Sequence, residues 1–277
     1  MDPNKIKIDD FFSLPYYISF YNLMCKPLPN NIGFIKNKNQ MVLFKQEYIE
    51  DAQPFLDGIK KIILFNMSED NYDLFLKRGI KHAKSKNDSI ISIFDGDFFK
   101  LEGKKHRHLR YRRNHYTKRF NFEVRDSVRS MYDFDIFIKK WNNMRKDAHF
   151  QLHTGYDVRF IKENLNNYKD KLVQKWFYDD NELVGYSVVD RASNGKYNLL
   201  CRKAFTDEKY TDLCMYMDYC VFKLIYDDIK KPYLVNMGAG QSGVKQYKET
   251  KFPYFASYKL ITAKYDVVND QVVNNFW

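Results

Sequence analysis

The sequence has few cysteines, no long apolar run and none of the common hydrolase or nucleotidase signatures, and each shortage closes a class of protein. Four cysteines occur in 277 residues, Cys25, Cys201, Cys214 and Cys220, with neither CxxC pairs nor the spacing of a secreted framework. That pattern argues against a disulfide scaffold and a thiolate zinc site, and leaves reduced thiols in or near a core, in a reducing compartment. No window approaches 18 uncharged apolar residues, and the opening MDPNKIKIDDFF lacks the apolar region of a signal peptide. A soluble, cytoplasmic protein is the expectation. HExxH, P-loop and Ser-His-Asp patterns are missing, as are low-complexity linkers and internal repeats. What is present is a globular composition, 44% hydrophobic and 17% aromatic, enough to bury a sizeable core in one large or two modest domains.

Acid is also missing from one stretch, and this is the most unusual feature of the chain. Between Lys104 and Arg119 there are eight Lys/Arg and three of the six histidines, but no Asp or Glu. Without those eight charges the formal net charge of +11 falls to +3, so the basicity is largely local. Leu109, Tyr116 and Phe120 stand at i, i+7 and i+11, which predicts a helix with a thin apolar seam and a broad cationic back. A solvated helix face would interleave Glu at i,i+4, and this one does not, so an anionic partner is expected. Phosphate is the favoured anion because guanidinium forks match its oxygens, and an anionic membrane surface is a further possible contact.

Residues 31–35 and 41–46 flank a polar turn and predict a hairpin; residues 61–66 and 89–94 predict buried strands, with a helix from Ser68 to about Lys84 between them. After the basic helix, residues 133–149 and 157–168 carry helical periodicity. Residues 171–178, 183–190 and 197–202 then read as an antiparallel meander broken by Asp-Asp-Asn and Ser-Asn-Gly turns. The clearest helical period follows, with Leu213, Tyr216, Met217, Cys220, Val221, Leu224 and Ile225 on one face. A strand at 232–236, a Gly238-Ala239-Gly240 loop, a short helix at 242–250 and a closing strand at 254–265 complete the chain.

This order, β–β–β–α–β–α–β, is similar to that of the Gcn5-related N-acyltransferase fold. Tyr247-Lys248-Glu249-Thr250-Lys251-Phe252 keeps that fold's spacing between a Tyr on the last helix and the Phe that opens the last strand, with Lys251 where Gly is usual. Within the superfamily the sequence most resembles the C-terminal domain of phosphatidylglycerol lysyltransferases and their uncharacterised bacterial relatives. Gly103-Lys104-Lys105-His106-Arg107-His108-Leu109-Arg110 matches their GKK-x-R-x-LR segment. Leu183-Val184-Gly185-Tyr186, Leu200-Cys201-Arg202, Val235-Asn236-Met237-Gly238, Gly243 to Lys248 and Lys251-Phe252-Pro253 follow in the family's order. Where that family has an acid three residues before the strand-end Arg, this sequence has Leu199. The resemblance implies an α/β fold of tandem acyltransferase-like domains: a degenerate one at 1–100, a basic connecting helix at 101–130 and a second domain at 131–277.

The resemblance further implies an acyltransferase moving an acyl group to an amine or hydroxyl acceptor such as a lipid or peptide. Tyr247 would be the leaving-group acid, Arg202 and Lys248 would bind a phosphate or the ester carbonyl, and Asn236 would orient substrate; a core aromatic, a solvated lysine and a turn cap are the competing structural readings. Coenzyme A users of the fold cradle pyrophosphate in a Gly-rich loop before the long helix, and here residues 202–210 contain no glycine. Aminoacyl-tRNA is therefore the implied donor, with acyl-CoA as alternative and no permanently bound cofactor. Its phosphates would lie along Lys104, Lys105, Arg107, Arg110, Arg112 and Arg113, with Lys251 nearby. His106, His108 and His115 are expected to have depressed basicity among the arginines and to contact phosphate. Two alternatives remain: an acyltransferase acting on a nucleic-acid base or nucleotide, and a non-catalytic nucleic-acid-binding protein on an acyltransferase scaffold.

Overall fold

The computed structural model describes residues 8–11, 13, 34–37, 40–43, 61–67, 83–144, 157–193, 195–239 and 242–266. Within them ten strands form one sheet: β1 (Phe34–Asn37), β2 (Gln40–Leu43), β3 (Lys61–Met67), β4 (Ala83–Phe94), β5 (Glu123–Arg125), β6 (Leu172–Asp179), β7 (Glu182–Arg191), β8 (Lys196–Ala204), β9 (Tyr233–Ala239) and β10 (Tyr254–Asp266). Their spatial order is β1-β2-β3-β10-β4-β9-β8-β7-β6-β5. The expected hairpin is β1–β2, and the expected meander is β6–β7–β8, both antiparallel. The meander's first turn closes because Asp180 and Asn181 both accept positive φ, 47° and 69°, the geometry a two-residue hairpin turn requires. The second uses Gly195 at φ 74°.

Strand β4 belongs by sequence to the first half of the chain, yet it lies between β9 and β10 of the second half, antiparallel to both. Its end carries Phe94, fully buried in an aromatic cluster with Phe98, Phe99, Phe222, Tyr233 and Phe252. Asp95 then caps helix α1 (Gly96–Lys100), its carboxylate accepting from the Phe98 amide at 2.9 Å. The basic stretch forms α2 (Arg107–Arg119), with Leu109 and Tyr116 buried as its seam.

Helix α3 (Met131–Met144) buries Phe134, Phe137 and Trp141. The periodic segment after it is not one α-helix: a helical turn at 157–159 passes into a π-helical turn (Phe160–Asn164) and then a 3-10 helix (Leu165–Lys171). The long helix α4 (Leu213–Ile229) packs across the meander so closely that a Cβ on Gly185 would lie 2.5 Å from Met217 Sδ. Its buried face is rotated from the expected one: Leu224 is exposed and Tyr216 and Cys220 are half-buried, while Met215, Asp218 and Phe222 are buried. Residues 218, 221, 222 and 225 make the actual stripe, an i, i+3, i+4, i+7 pattern with an acid in it. Residues 238 and 239, read as loop, extend β9; α5 (Ser242–Lys251) and β10 follow as expected. Residues 68–82 of the helix expected from Ser68 to about Lys84, residues 145–149 and Cys25 lie outside the described residues, while Ala83 and Lys84, placed at that helix's end, instead begin β4. Among the described residues no helix is long and apolar enough to cross a membrane.

Candidate active site where two parallel strands part

Strands β8 and β9 pair in parallel only over residues 196–198 with 234–236. Beyond Asn198 and Asn236 they stop pairing, and the side chains of the candidate site gather around this divergence. Four polar groups from β8, β9, α4 and α5 meet here. Arg202, two residues from the end of β8, forms an ion pair with Asp218, whose side chain is fully buried on α4. Lys248, 6% exposed on α5, donates from Nζ to the Gly238 carbonyl of β9 at 3.0 Å. Burial, reinforced by the Arg202 charge, brings its pKa down to about 7. The left-handed backbone explains Gly238, which sits at φ 76°.

Tyr247 stands beside this group, its ring edge-on to Phe252 at 6.0 Å. Burial raises its pKa to about 12, and the Arg202 charge acts in the opposite sense. Asn236 is fully buried; its Oδ1 accepts from Ser89 Oγ at 2.6 Å and from the Gly238 amide at 2.8 Å. The four residues singled out from sequence, Tyr247, Arg202, Lys248 and Asn236, are thus gathered at the parting strands. Sequence reasoning missed Asp218 and Ser89. An acid inside the apolar stripe of α4 was the available signal for the first; nothing local marks the second, which acts through strand pairing.

Helix α2 is attached to the start of α4. Arg112 holds the Asp212 carboxylate through Nε and Nη2, both at 2.9 Å; His108 Nε2 lies 3.3 Å from the same oxygen, and Tyr116 donates to the Thr211 carbonyl at 2.7 Å. Burial holds His108 below ordinary imidazole basicity against the pull of Asp212, with the charges of Lys251 and Arg112 adding to the depression. The basic residues divide by role. Arg110 donates to the Leu101 and Gly103 carbonyls and Arg113 to Asn114, whereas Lys104, Lys105 and Arg107 are exposed. His106, His108 and His115 are all held below ordinary imidazole basicity, but burial is the largest cause for each, ahead of the neighbouring cations that were expected to dominate. Nor do they converge: His106 packs edge-on to Phe98, and His115 lies against Tyr111 and Tyr116.

The loop before α4 is filled by its own contacts. Tyr210 takes its amide to Asp207 and its hydroxyl to Asp179, and Asp212, at φ 60°, presents a carboxylate at the helix start.

The strand order, the parted parallel pair and the long helix between them make this an α/β fold of the Gcn5-related N-acyltransferase type. Among solved structures it is similar to a conserved protein of unknown function from Bacteroides thetaiotaomicron, with TM-score 0.63 and 15% identity over 92% of this chain and 90% of that one. It is also similar to L-PGS from Bacillus licheniformis, with TM-score 0.57 and 14% identity over 88% and 83%. A third is the C-terminal domain (DUF2156) of a candidate lysylphosphatidylglycerol synthetase from Agrobacterium fabrum, with TM-score 0.56 and 10% identity over 87% and 82%. No protein-family model matches the sequence, and no curated protein sequence matches it.

Proposed function

We propose that the chain is an acyltransferase that carries an aminoacyl group from charged tRNA to an amine or hydroxyl acceptor such as a lipid or peptide. The observation that carries the reading is Lys248, a buried amine with its pKa brought to about 7, set on the Gly238 carbonyl beside Arg202 and Tyr247. At neutral pH about half of such an amine is unprotonated and able to take a proton from an acceptor O–H or N–H. The acceptor then attacks the ester carbonyl, whose oxygen gains charge that Arg202 offsets. The bond to the ribose oxygen breaks, and Tyr247 supplies the proton that oxygen needs. Asp218 keeps Arg202 aimed, as a buried partner does for a guanidinium.

The donor is argued from two features. The glycine-free start of α4 disfavours coenzyme A, while the exposed cations Lys104, Lys105 and Arg107 lie in the turn before α2 and at its first residue, and α2 is attached to that same helix start. One of the solved structures sharing the fold is named for a lysylphosphatidylglycerol synthetase and another as L-PGS. On this reading residues 1–100 and 131–277 are a tandem pair joined by the basic segment 101–130, with β4 shared across the pair.

The test is transfer of label from tRNA charged with radioactive amino acids to a membrane-lipid and peptide mixture, with acyl-CoA and DNA in a parallel reaction. Transfer from charged tRNA is expected, falling at least about 100-fold in Tyr247→Phe, the range for loss of a general acid. No transfer in either reaction, together with tight salt-sensitive retention of nucleic acid, would replace the enzyme by a nucleic-acid-binding protein.

A further inference from the structure

Helix α2 carries two neighbouring ridges at i+4 spacing. The first, His108, Arg112 and Tyr116 with Phe120 at the C-cap, meets the start of α4: His108 and Arg112 on Asp212, the Tyr116 hydroxyl on the Thr211 carbonyl, and the Phe120 ring 5.9 Å from that of Tyr210. The second is Arg107, Tyr111, His115 and Arg119. Among the described residues no side-chain hydrogen bond or ion pair ties this ridge to another element, and Arg107, Tyr111 and Arg119 are exposed. Tyr111 is the most open of its rings, at 59% exposure.

The composition of this second ridge is specific: two aromatic rings between two guanidinium groups. The rings of Tyr111 and His115 are stacked, with planes 29° apart and centroids 6.2 Å apart. Burial and the charges of Arg119 and Arg112 hold His115 below ordinary imidazole basicity, so its ring is uncharged at neutral pH. From Arg107 to Arg119 the ridge runs about 18 Å at ~1.5 Å per residue, the length of about five bases stacked ~3.4 Å apart. A duplex encloses the flat faces of its bases, so aromatic side chains set among cations favour an unpaired strand, stacking with its bases while the cations track its phosphates.

At the Arg119 end a cavity of about 410 Å³ opens between α2, the β6–β7 turn and the loop before α4, lined by His115, Arg119, Phe120, Asp180, Glu208 and Lys209 among others. Lys209 is paired with Asp179 at 2.6 Å, whereas the exposed carboxylates of Asp180 and Glu208 have no ion pair among the described residues. Carboxylates repel phosphate, so the cavity suits a base and not the backbone. They accept from an exocyclic amine, which cytosine and adenine carry and uracil lacks. We propose that this ridge and cavity hold the unpaired cytosine- and adenine-bearing end of the donor tRNA, with bases stacked on Tyr111 and His115, phosphates on Arg107 and Arg119, and one amino-bearing base in the cavity. This rests on the charged-tRNA reading and names the part of the donor that α2 takes. The ridge passes beside Asp212, and Asp218, the partner of Arg202, stands about 9 Å further along α4.

Fluorescence anisotropy of the full chain with short labelled strands tests this at fixed salt and neutral pH: oligocytidylate, oligouridylate and an abasic ribose-phosphate strand of equal length. Oligocytidylate is expected to bind at least about 10-fold more tightly than the abasic strand, and at least about 5-fold more tightly than oligouridylate. Tyr111→Ala should weaken oligocytidylate binding at least about 5-fold without changing its salt slope, because the ring carries no charge, and Tyr111→Phe should restore it. Equal binding of oligocytidylate and either other strand, no binding of any, or an unchanged affinity in Tyr111→Ala would overturn the proposal. Transfer assays separate this inference from the reading beneath it. Transfer from charged tRNA alongside equal binding of the abasic strand removes the stacking ridge and leaves aminoacyl transfer standing. No transfer alongside the expected base preferences removes the aminoacyl reading and keeps the ridge as a single-strand site.

Discussion

Replacing Lys248 by methionine should stabilise the protein while abolishing transfer. A lysine amine whose pKa falls from 10.5 to about 7 on folding is favoured by the fold only when neutral. Folding therefore costs most below pH 7, where the amine is charged in the unfolded chain and must be discharged or buried charged. The cost shrinks as pH rises and vanishes above pH 10.5. At 1.36 kcal/mol per pKa unit the shift is worth at most about 5 kcal/mol, and at pH 7 about 4 kcal/mol. Methionine keeps the length of the side chain and removes the charge, but leaves the Gly238 carbonyl unpaired, a loss of about 1 kcal/mol. The net gain for Lys248→Met is then about 3 kcal/mol at pH 7, or a rise in Tm of roughly 6 °C or more for a chain of this size. Urea denaturation of both proteins at pH 7, 8.25 and 9.5 reads it directly. The advantage of the variant should fall by about 1 kcal/mol per pH unit and be close to zero at pH 9.5. A variant less stable than wild type at pH 7, or an advantage that does not change with pH, would show that Lys248 is held as an ammonium and could not serve as the base.

Breaking the Arg202–Asp218 pair from one side should cost about 3–5 kcal/mol, because it strands a buried charge, whereas the double change Arg202→Met with Asp218→Leu should come within about 2 kcal/mol of wild type. Additive losses in the double variant would mean the two residues are not coupled. Around the start of α2, changing Lys104, Lys105 and Arg107 together to alanine should reduce the salt slope of RNA binding by about 2 in filter assays and leave stability unchanged. Arg112→Ala should instead lower stability measurably, since it releases Asp212 at the junction of two helices, and an unchanged Tm would refute that division of roles.

Most of the second half of the chain was legible because its signals are local. The β6–β7 turn needs two residues that tolerate positive φ, and Asp180-Asn181 states this in the sequence. The order of motifs pointed to Tyr247, Arg202, Lys248 and Asn236, and the register of β8 and β9 explains why residues far apart in sequence share a site. What sequence could not supply was the environment. Tyr247 and Lys248 are adjacent on a short helix of moderate polarity, and only burial against β9 and the Arg202 charge distinguishes them from a surface pair. The same limit applied to α4. Of its expected face Leu213, Met217, Val221 and Ile225 are buried, but Tyr216, Cys220 and Leu224 are not, and the buried stripe takes in Asp218 and Phe222 instead. Asp218 is the residue that anchors Arg202. A charged side chain that interrupts an otherwise regular apolar stripe is thus better taken as a question about its partner than as evidence of a solvent-facing edge, and here the partner was already in view on β8.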